Sequence, residues 1–349
     1  MNGLATRYLG LDLRHPVVAS ASPLTATFDG MRRLEDAQAA AVVMASLYEE
    51  QIRAADAAYA MFTDYAAGSH PEAANYFPEL PDYRYGISGH LETLRRAVEA
   101  LQIPVIASLN GVTDEGWLDY AMELEQTGVA ALELNLFLPP SDLATTGHEM
   151  ERRYLDIVRH VKSEVGIPIA VKLPPFFSAL GNFIIELQSA GADGVVLFNQ
   201  FCRPDLDPET LSAKPRVFLS TSADIHLPLA WIMLLSHHVD LSLAAGTGVD
   251  THVEVVKYLL AGADVATAAS TLLRYGPDRL ATLVEGLERW LSDSPFASVD
   301  DMRGRLDCAH SGPPDKFFRN VYLHGISDYP APEFAPRNGE DERSIGAIG

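Results

Sequence analysis

Residues 168–199 contain two short apolar runs with a helical segment between them. The first run is Pro168-Ile-Ala-Val-Lys-Leu-Pro174, the second is Gly194-Val-Val-Leu-Phe-Asn199, and the residues from Asn182 to Ala190 separate them. A strand, a helix and a second strand in this order are typical of a parallel sheet covered by helices. This unit therefore predicts an α/β fold.

The same alternation extends in both directions along the chain. Further strands are expected in the segments His15 to Ser20, Ala41 to Ser46, Pro104 to Gly111, Ala131 to Leu136, Asp240 to Gly248 and Asp264 to Ser270. Together the segments make eight βα units, the number that closes a (β/α)₈ TIM barrel. A doubly wound sheet would also alternate, but it would need fewer units or a second domain.

The barrel is predicted to occupy residues 1–292. A helical C-terminal extension is expected at 293–329, and a flexible tail rich in proline, glycine and charge at 330–349. Residues 49–88 interrupt the alternation after the second strand and hold many aromatic side chains. Long loops of this kind are usually functional, so we expect a lid-like insertion; a plain surface excursion is the alternative.

Charge and cysteine content exclude several classes of partner and site. The formal net charge is -21, which repels nucleic-acid phosphates and anionic lipids, so neither nucleic acid nor membrane is an expected partner. The two cysteines, Cys202 and Cys308, are far apart, so no metal site or disulfide framework is expected. No secretory leader is apparent, and we expect a cytoplasmic protein.

The ends of the predicted strands carry the chemistry, because they face the active site of a TIM barrel. They bring Asn110, Asn135, Lys172 and Asn199 together with two small-residue turns, Gly246-Thr-Gly248 and Ala269-Ser270. Small residues let backbone N–H groups approach a phosphate, and asparagines offer donors and acceptors to the uracil-like edge of a flavin. A lysine stabilises the negative charge of a reduced flavin ring. The pattern therefore predicts FMN at the mouth of the barrel.

The full set of expected FMN-binding residues comes from these strand ends and from the run Arg216 to Ser222, which follows a polar excursion from Arg203 to Lys214 after strand six. It comprises Ser20, Ala21, Ser46, Asn110, Asn135, Lys172, Asn199, Ser222, Gly246, Thr247, Gly248, Ala269 and Ser270.

Several of these stretches resemble the dihydroorotate dehydrogenase family, most closely its soluble branch. They are Ala19-Ser-Ala-Ser-Pro23, Glu133-Leu-Asn-Leu136, Val171-Lys-Leu-Pro-Pro175 and Ala245-Gly-Thr-Gly248 followed by Leu259-Leu-Ala-Gly-Ala263, and the resemblance covers roughly residues 5–290. It implies an FMN-dependent oxidoreductase of pyrimidine biosynthesis, which transfers a hydride between FMN and a small dihydropyrimidine-like CH–CH substrate. It also implies that Lys172 contacts the flavin ring, that Asn135 and Asn199 face flavin or substrate, and that the chain forms a homodimer.

Three positions depart from the family pattern on the substrate side. The family motif Asn-Leu-Ser-Cys-Pro-Asn is here Asn135-Leu-Phe-Leu-Pro-Pro140, so Leu138 stands at the catalytic cysteine position and Pro140 at that of a substrate-binding asparagine. Met44 stands where the family places a lysine at the end of strand two. Dihydroorotate oxidation needs a base, and a leucine cannot take a proton, so the sequence assigns no catalytic residue.

Other residues near the mouth could replace the missing catalytic cysteine as acid or base. Cys202, His70 and Tyr76 are candidates, and each has a simpler interpretation as a buried thiol, a surface histidine or a packing aromatic. His148, in the loop after strand four, is a similar case.

Three hypotheses follow from this division. The first is an oxidoreductase resembling dihydroorotate dehydrogenase. The second is an FMN-binding relative without dihydroorotate activity, which acts on another substrate or serves as the accessory subunit of a redox complex. The third is a barrel that has lost flavin and acts as a scaffold. The electron acceptor stays open between a soluble molecule and a redox partner protein.

Overall fold

The computed structural model of the chain describes residues 3–57, 85–138, 142–199, 203–216, 218–311 and 314–327. An antiparallel hairpin of β1 (Thr6–Tyr8) and β2 (Leu11–Leu13) comes first. Its tip meets the starts of later strands, because the Leu9 N–H donates to the Ser242 hydroxyl at 3.0 Å. The hairpin therefore covers the amino-terminal end of the sheet that follows.

Eight parallel strands form that sheet. They are β3 (Val17–Ala19), β4 (Val42–Val43), β6 (Val105–Asn110), β7 (Ala131–Asn135), β8 (Ile169–Leu173), β9 (Gly194–Leu197), β12 (Ser242–Ala245) and β13 (Val265–Ala268). Each pairs with the next in chain order, β13 pairs with β3, and β4 pairs with β6, which closes the ring. The predicted (β/α)₈ TIM barrel is confirmed.

Two predicted regions look different in detail. Strand two is interrupted after Val43, and β5 (Leu47–Tyr48) resumes the pairing against the end of β6. The polar excursion after strand six is an antiparallel hairpin of β10 (Arg203–Asp207) and β11 (Ser212–Arg216).

Helices surround the barrel. They are α1 (Phe28–Asp36), α2 (49–57), α3 (Tyr85–Ala100), α4 (Asp114–Glu125), α5 (Gly147–Glu164), α6 (Leu180–Ser189), α7 (His226–Leu235), α8 (His252–Ala261), α9 (Ser270–Tyr275), α10 (Arg279–Asp293) and α11 (Val299–Met302). Threonines begin several of them, and Thr146 and Thr251 form capping boxes with the glutamates three residues later. The Thr-x-x-Glu pattern thus fixes where α5 and α8 start.

Alternation along the strands divides the core into two layers. One residue set faces the barrel axis and packs with Tyr8, Leu9 and Leu13 of the hairpin. The other packs between the strands and the helices, and it contains Met44 and Leu173. Successive side chains of a strand point to opposite faces, so each strand contributes to both layers.

The chain divides into two compact units, Met1–Asp307 and Cys308–Gly349. Residues 298–307 belong to the first, where Val299 and Met302 are buried. The described part of the second unit contains α12 (Cys308–Ser311) and α13 (Pro314–Ser327). The boundary after residue 292 stays a prediction, and the tail at 330–349 lies outside the described residues, as does most of the expected lid.

None of the helices within the described ranges is long and apolar enough to cross a membrane.

Candidate active site at the barrel mouth

The inner face of the barrel changes from apolar to polar in the direction of the strands. Moving two residues along a strand replaces Val18 with Ser20, Ile106 with Ser108, Ala131 with Glu133, Ala170 with Lys172 and Val265 with Thr267. All of the second members are buried. Because these strands run parallel, the polar members share one level, which forms the floor of the mouth.

A buried ion pair lies in this floor. The Lys172 ammonium is 3.3 Å from Glu133 Oε1 and 3.4 Å from the Ser20 hydroxyl, and the two charged residues are only 8% and 2% exposed. Glu133 Oε1 also accepts from the Ser108 hydroxyl at 3.4 Å, and Ser108 contacts the Ser46 hydroxyl at 2.8 Å. The network therefore links five strands of the barrel, β3, strand two, β6, β7 and β8.

Asparagines lie one step higher. The Asn199 side-chain amide donates to Asn135 Oδ1 at 2.7 Å, which joins the ends of β7 and β9. Asn110 ends β6 and is 6% exposed, and within the described residues its side-chain amide makes no hydrogen bond.

The turn after β12 is shaped by close backbone contacts. A Cβ on Gly246 would lie 3.1 Å from the Phe198 carbonyl oxygen, and one on Gly248 would lie 2.9 Å from the Ile225 nitrogen. Thr247 and Gly248 both have positive φ, and the Tyr258 hydroxyl donates to the Thr247 carbonyl at 2.7 Å. Burial raises the pKa of Tyr258 well above its ordinary value, so this donor stays protonated.

Two serine hydroxyls face this turn. The Ser220 hydroxyl is 3.0 Å from Ser270 Oγ and accepts from the Gly248 N–H at 3.1 Å. Arg274 holds the Ser220 carbonyl at 3.1 Å and pairs with Asp250 at 3.1 Å. The result is a rim of serine hydroxyls and glycine backbone whose shape is held by these bonds.

A single cleft joins the floor to this rim. Of the residues predicted to bind the cofactor, it is lined by Ser20, Ala21, Lys172, Asn199, the turn Gly246–Gly248, Ala269 and Ser270. Asn135 bonds to one lining residue, and Ser46 joins the floor through Ser108. Ser222 does not line the cleft, because the chain turns at Thr221 into a 3₁₀ helix, Ser222–Ile225.

Four further residues line the cleft but were not predicted from the sequence. They are Phe198, Ser220, Val249 and Thr267. Glu133 was likewise not singled out as a site residue, although it lies on the same strand face as Asn135 and alternation could have shown it. Ser220 has no comparable signal, since it lies outside any regular element.

Leu138, at the family's cysteine position, lies elsewhere. It lines a separate, mainly apolar pocket with Phe137, Met150, Tyr154 and Phe177, between the ends of β7 and β8 and helix α5. The Tyr154 hydroxyl accepts from the Leu138 N–H at 3.2 Å and lies 3.3 Å from its carbonyl oxygen. The backbone there is therefore tied to α5.

Met44, which stands where the family places a lysine at the end of strand two, does not face the mouth. Met44 is 1% exposed and packs in the cluster between strands and helices, because Val43 before it faces the barrel axis. Residue 44 thus has the outward face. The polar group that this segment gives to the mouth is Ser46.

Three of the candidate acid–base groups, Cys202, His70 and Tyr76, lie outside the described residues, and so does Pro140. His148 is exposed, contacts Arg152 at 2.7 Å and does not line the cleft. No catalytic base is assigned.

No protein-family model matches the chain. The chain is 30% identical over 219 residues to an Aeropyrum pernix protein named "Putative dihydroorotate dehydrogenase A (fumarate)", which covers 60% of this chain and 70% of that protein. It is 26% identical over 224 residues to the dihydroorotate dehydrogenase B (NAD(+)) catalytic subunit of Shouchella clausii, covering 63% and 73%.

A further relative with the same name as the second, from Endomicrobium trichonymphae, is 26% identical over 256 residues, covering 68% of this chain and 82% of that protein. The similarity agrees with the barrel and with the motifs at its strand ends. The chain belongs to the dihydroorotate dehydrogenase family.

Proposed function

We propose that the protein is an FMN-dependent oxidoreductase that acts on CH–CH bonds. The observation that carries the proposal is the cleft itself, which joins a buried lysine to a rim of glycine backbone and serine hydroxyls. The two ends of FMN need the same two surroundings. A cation stabilises its ring, and small turns rich in hydrogen-bond donors hold its phosphate.

The donor set fits FMN. A Cβ at Gly248 would lie 2.9 Å from the Ile225 nitrogen, and the positive φ there also favours glycine; at Gly246 a Cβ would be in tight contact at 3.1 Å. Ser220, Ser270 and the nearby N–H groups supply donors for a phosphate. Asn110, at the end of β6, offers a further side-chain amide for a polar ring edge, although it does not line the cleft.

The residues then have separate roles. Lys172 would hold positive charge beside the ring and favour its reduced, anionic form. Asn135 and Asn199, already bonded to each other at 2.7 Å, would orient the ring or the substrate. When bound, FMN supplies the acceptor or donor of a hydride.

The substrate is proposed to be a small dihydropyrimidine-like molecule, in pyrimidine biosynthesis. Support comes from the three relatives, each of which is named as a dihydroorotate dehydrogenase. A homodimer, and a redox partner protein as electron acceptor, belong to the same proposal.

The visible spectrum of the purified protein tests the cofactor. We expect a yellow protein, or an apoprotein that recovers the flavin spectrum when FMN is added. A colourless protein that refuses FMN would leave the scaffold hypothesis in its place.

A second candidate function is an FMN-binding protein without dihydroorotate activity. It is favoured by Leu138, which has no proton to exchange and lines a pocket apart from the cleft. Such a protein would act on another substrate or as an accessory subunit of a redox complex.

Anaerobic stopped-flow mixing with dihydroorotate separates the two candidates. Rapid bleaching of the flavin supports the dehydrogenase. Bound FMN that dihydroorotate leaves oxidised, while dithionite reduces it, supports the second candidate.

A further inference from the structure

Lys172 and Glu133 share the floor of the mouth as a nearly dry pair. Their side chains are 10% and 3% exposed, and Lys172 Nζ lies 3.3 Å from Glu133 Oε1. A buried ammonium without a partner is costly, and a buried carboxylate is too. Each charge is therefore retained at this depth because the other is present.

Neighbouring hydroxyls hold both ends of the pair. Ser20 follows β3, which lies across the barrel from β8, and its hydroxyl is 3.4 Å from Nζ. Ser108, the direct cross-strand neighbour of Glu133, donates to Oε1 at 3.4 Å, and Ser46 backs Ser108 at 2.8 Å. A long lysine side chain is thus restricted to one place, at the wall of the cleft.

We propose that Glu133 is the positioning residue of the site, which fixes the Lys172 ammonium at the cleft wall and balances its charge. The inference rests on the proposed function, because the position matters for the FMN ring. Glu133 does not line the cleft and would act through Lys172 alone.

The reduction potential of bound FMN tests this. In Glu133→Gln the ammonium loses its counter-charge, so reduced FMN should gain affinity relative to oxidised FMN by about tenfold, and the potential should rise. When Lys172→Met is already present, adding Glu133→Gln should leave the reduction potential of bound FMN unchanged. Non-additivity of this kind is not expected of a merely structural role.

Glu125→Gln is the matched control. Glu125, the last residue of α4, is a partly buried glutamate whose carboxylate accepts from the N–H groups of Gly166 at 2.7 Å and Ile167 at 3.2 Å. These two residues precede β8, so Glu125 lies at the other end of the barrel. It should leave the potential unchanged. The proposal is overturned if Glu133→Gln leaves the potential where Glu125→Gln leaves it, or shifts it equally with and without Lys172.

A second readout needs no FMN. The chain has five lysines, so ¹³Cε-lysine NMR of the apoprotein gives few signals, and Lys172→Met identifies one of them. We expect Glu133→Gln to move the Lys172 signal most and Glu125→Gln to leave it in place. A Lys172 signal that ignores Glu133→Gln overturns the pairing, whereas failure of FMN to bind any variant overturns only the proposed function.

Discussion

Two regions of one barrel mouth are built from opposite chemistry. The turn after β12, with Gly248, Ser220 and Ser270, is small, polar and joined to the buried Lys172. The loop after β7 is bulky and apolar, and Leu138 there packs beside Tyr154. Because each loop of a TIM barrel follows its own strand, one part of a mouth can change while another is kept.

The comparison also explains how the chain can belong to its family and differ from it. Features expected to hold a cofactor come from β8, β12 and β13. The position expected to move a proton comes from the loop after β7 and holds a leucine. Four sets of variants, each at a different place in the barrel, test this division.

The largest effect is expected at the polar floor. Lys172→Met leaves Glu133 buried without its cation, so the free energy of unfolding should fall by about 3 kcal/mol. The double variant Lys172→Met/Glu133→Gln should lose less than the sum of the single variants, because no unpaired charge remains. Urea unfolding measures both.

Lys257→Met is the control for that series, since Lys257 is exposed on α8. Its unfolding free energy should stay within about 0.5 kcal/mol of the wild type. If Lys172→Met matched Lys257→Met, the floor would not be the tightly coupled region described above.

The turn after β12 should respond next. Gly248 has φ +79°, and a Cβ there would meet the Ile225 nitrogen at 2.9 Å, so Gly248→Ala should cost about 2 kcal/mol of stability. FMN affinity, measured by fluorescence titration, should fall more than about tenfold, which is 1.4 kcal/mol.

Gly276→Ala tests whether strain alone explains the loss. Gly276 has φ +89° with open space around its Cβ position, and it does not line the cleft. It should lose stability and keep FMN affinity. Equal losses of affinity in the two variants would remove the turn from the cofactor site.

The third effect is expected in the loop after β6, where the contribution of Glu49 to stability should depend on pH. Glu49 accepts from the Val112 and Thr113 N–H groups at 2.5 and 2.8 Å and pairs with Arg53 at 2.7 Å. Burial alone would raise the pKa of Glu49, but the bonds from Thr113 and Val112 and the charge of Arg53 outweigh it and hold the pKa below its ordinary value.

A carboxylate with a lowered folded pKa stabilises the protein above its unfolded pKa, and this contribution is lost as the pH falls through the folded pKa. Glu49→Gln should therefore cost about 1.5 kcal/mol at pH 7. The difference from the wild type should shrink below pH 4.5, the ordinary value, in urea unfolding at several pH values. A difference that stays constant in acid contradicts this role.

The smallest effect is expected in the apolar loop, and two tyrosines make a matched pair. Tyr154→Phe removes the hydroxyl beside the Leu138 backbone and should cost about 1 kcal/mol without changing FMN affinity. Tyr258→Phe removes the hydroxyl that donates to the Thr247 carbonyl and should weaken FMN binding. Weaker FMN binding in Tyr154→Phe would show that the two regions are one site.

Much of the fold could be read from the sequence because it depends on local periodicity. The runs around Val171 and Val196 predicted neighbouring strands, and the structure pairs them. Lys172 and Asn199 were placed at one mouth for the same reason, since parallel strand ends meet. The division into domains, the roles of the site residues, the partners and the cytoplasmic location stay predictions.

The expectations that the structure did not match depended on the direction of a side chain or on contacts between distant segments of the chain. Met44 was expected at the mouth, but an interruption of strand two and the alternation around Val43 turn it outward. Ser222 was expected in the cleft, but the chain bends and Ser220 reaches it instead.

The sequence by itself determined the barrel and the polar strand ends, because a period of two along a strand and small residues at turns are local properties. Only the tertiary structure decided that Glu133 pairs with Lys172, that Ser220 meets Ser270, and that Leu138 lines a pocket apart from the cleft. These contacts join residues far apart in the chain, and their geometry exists only once the barrel has closed.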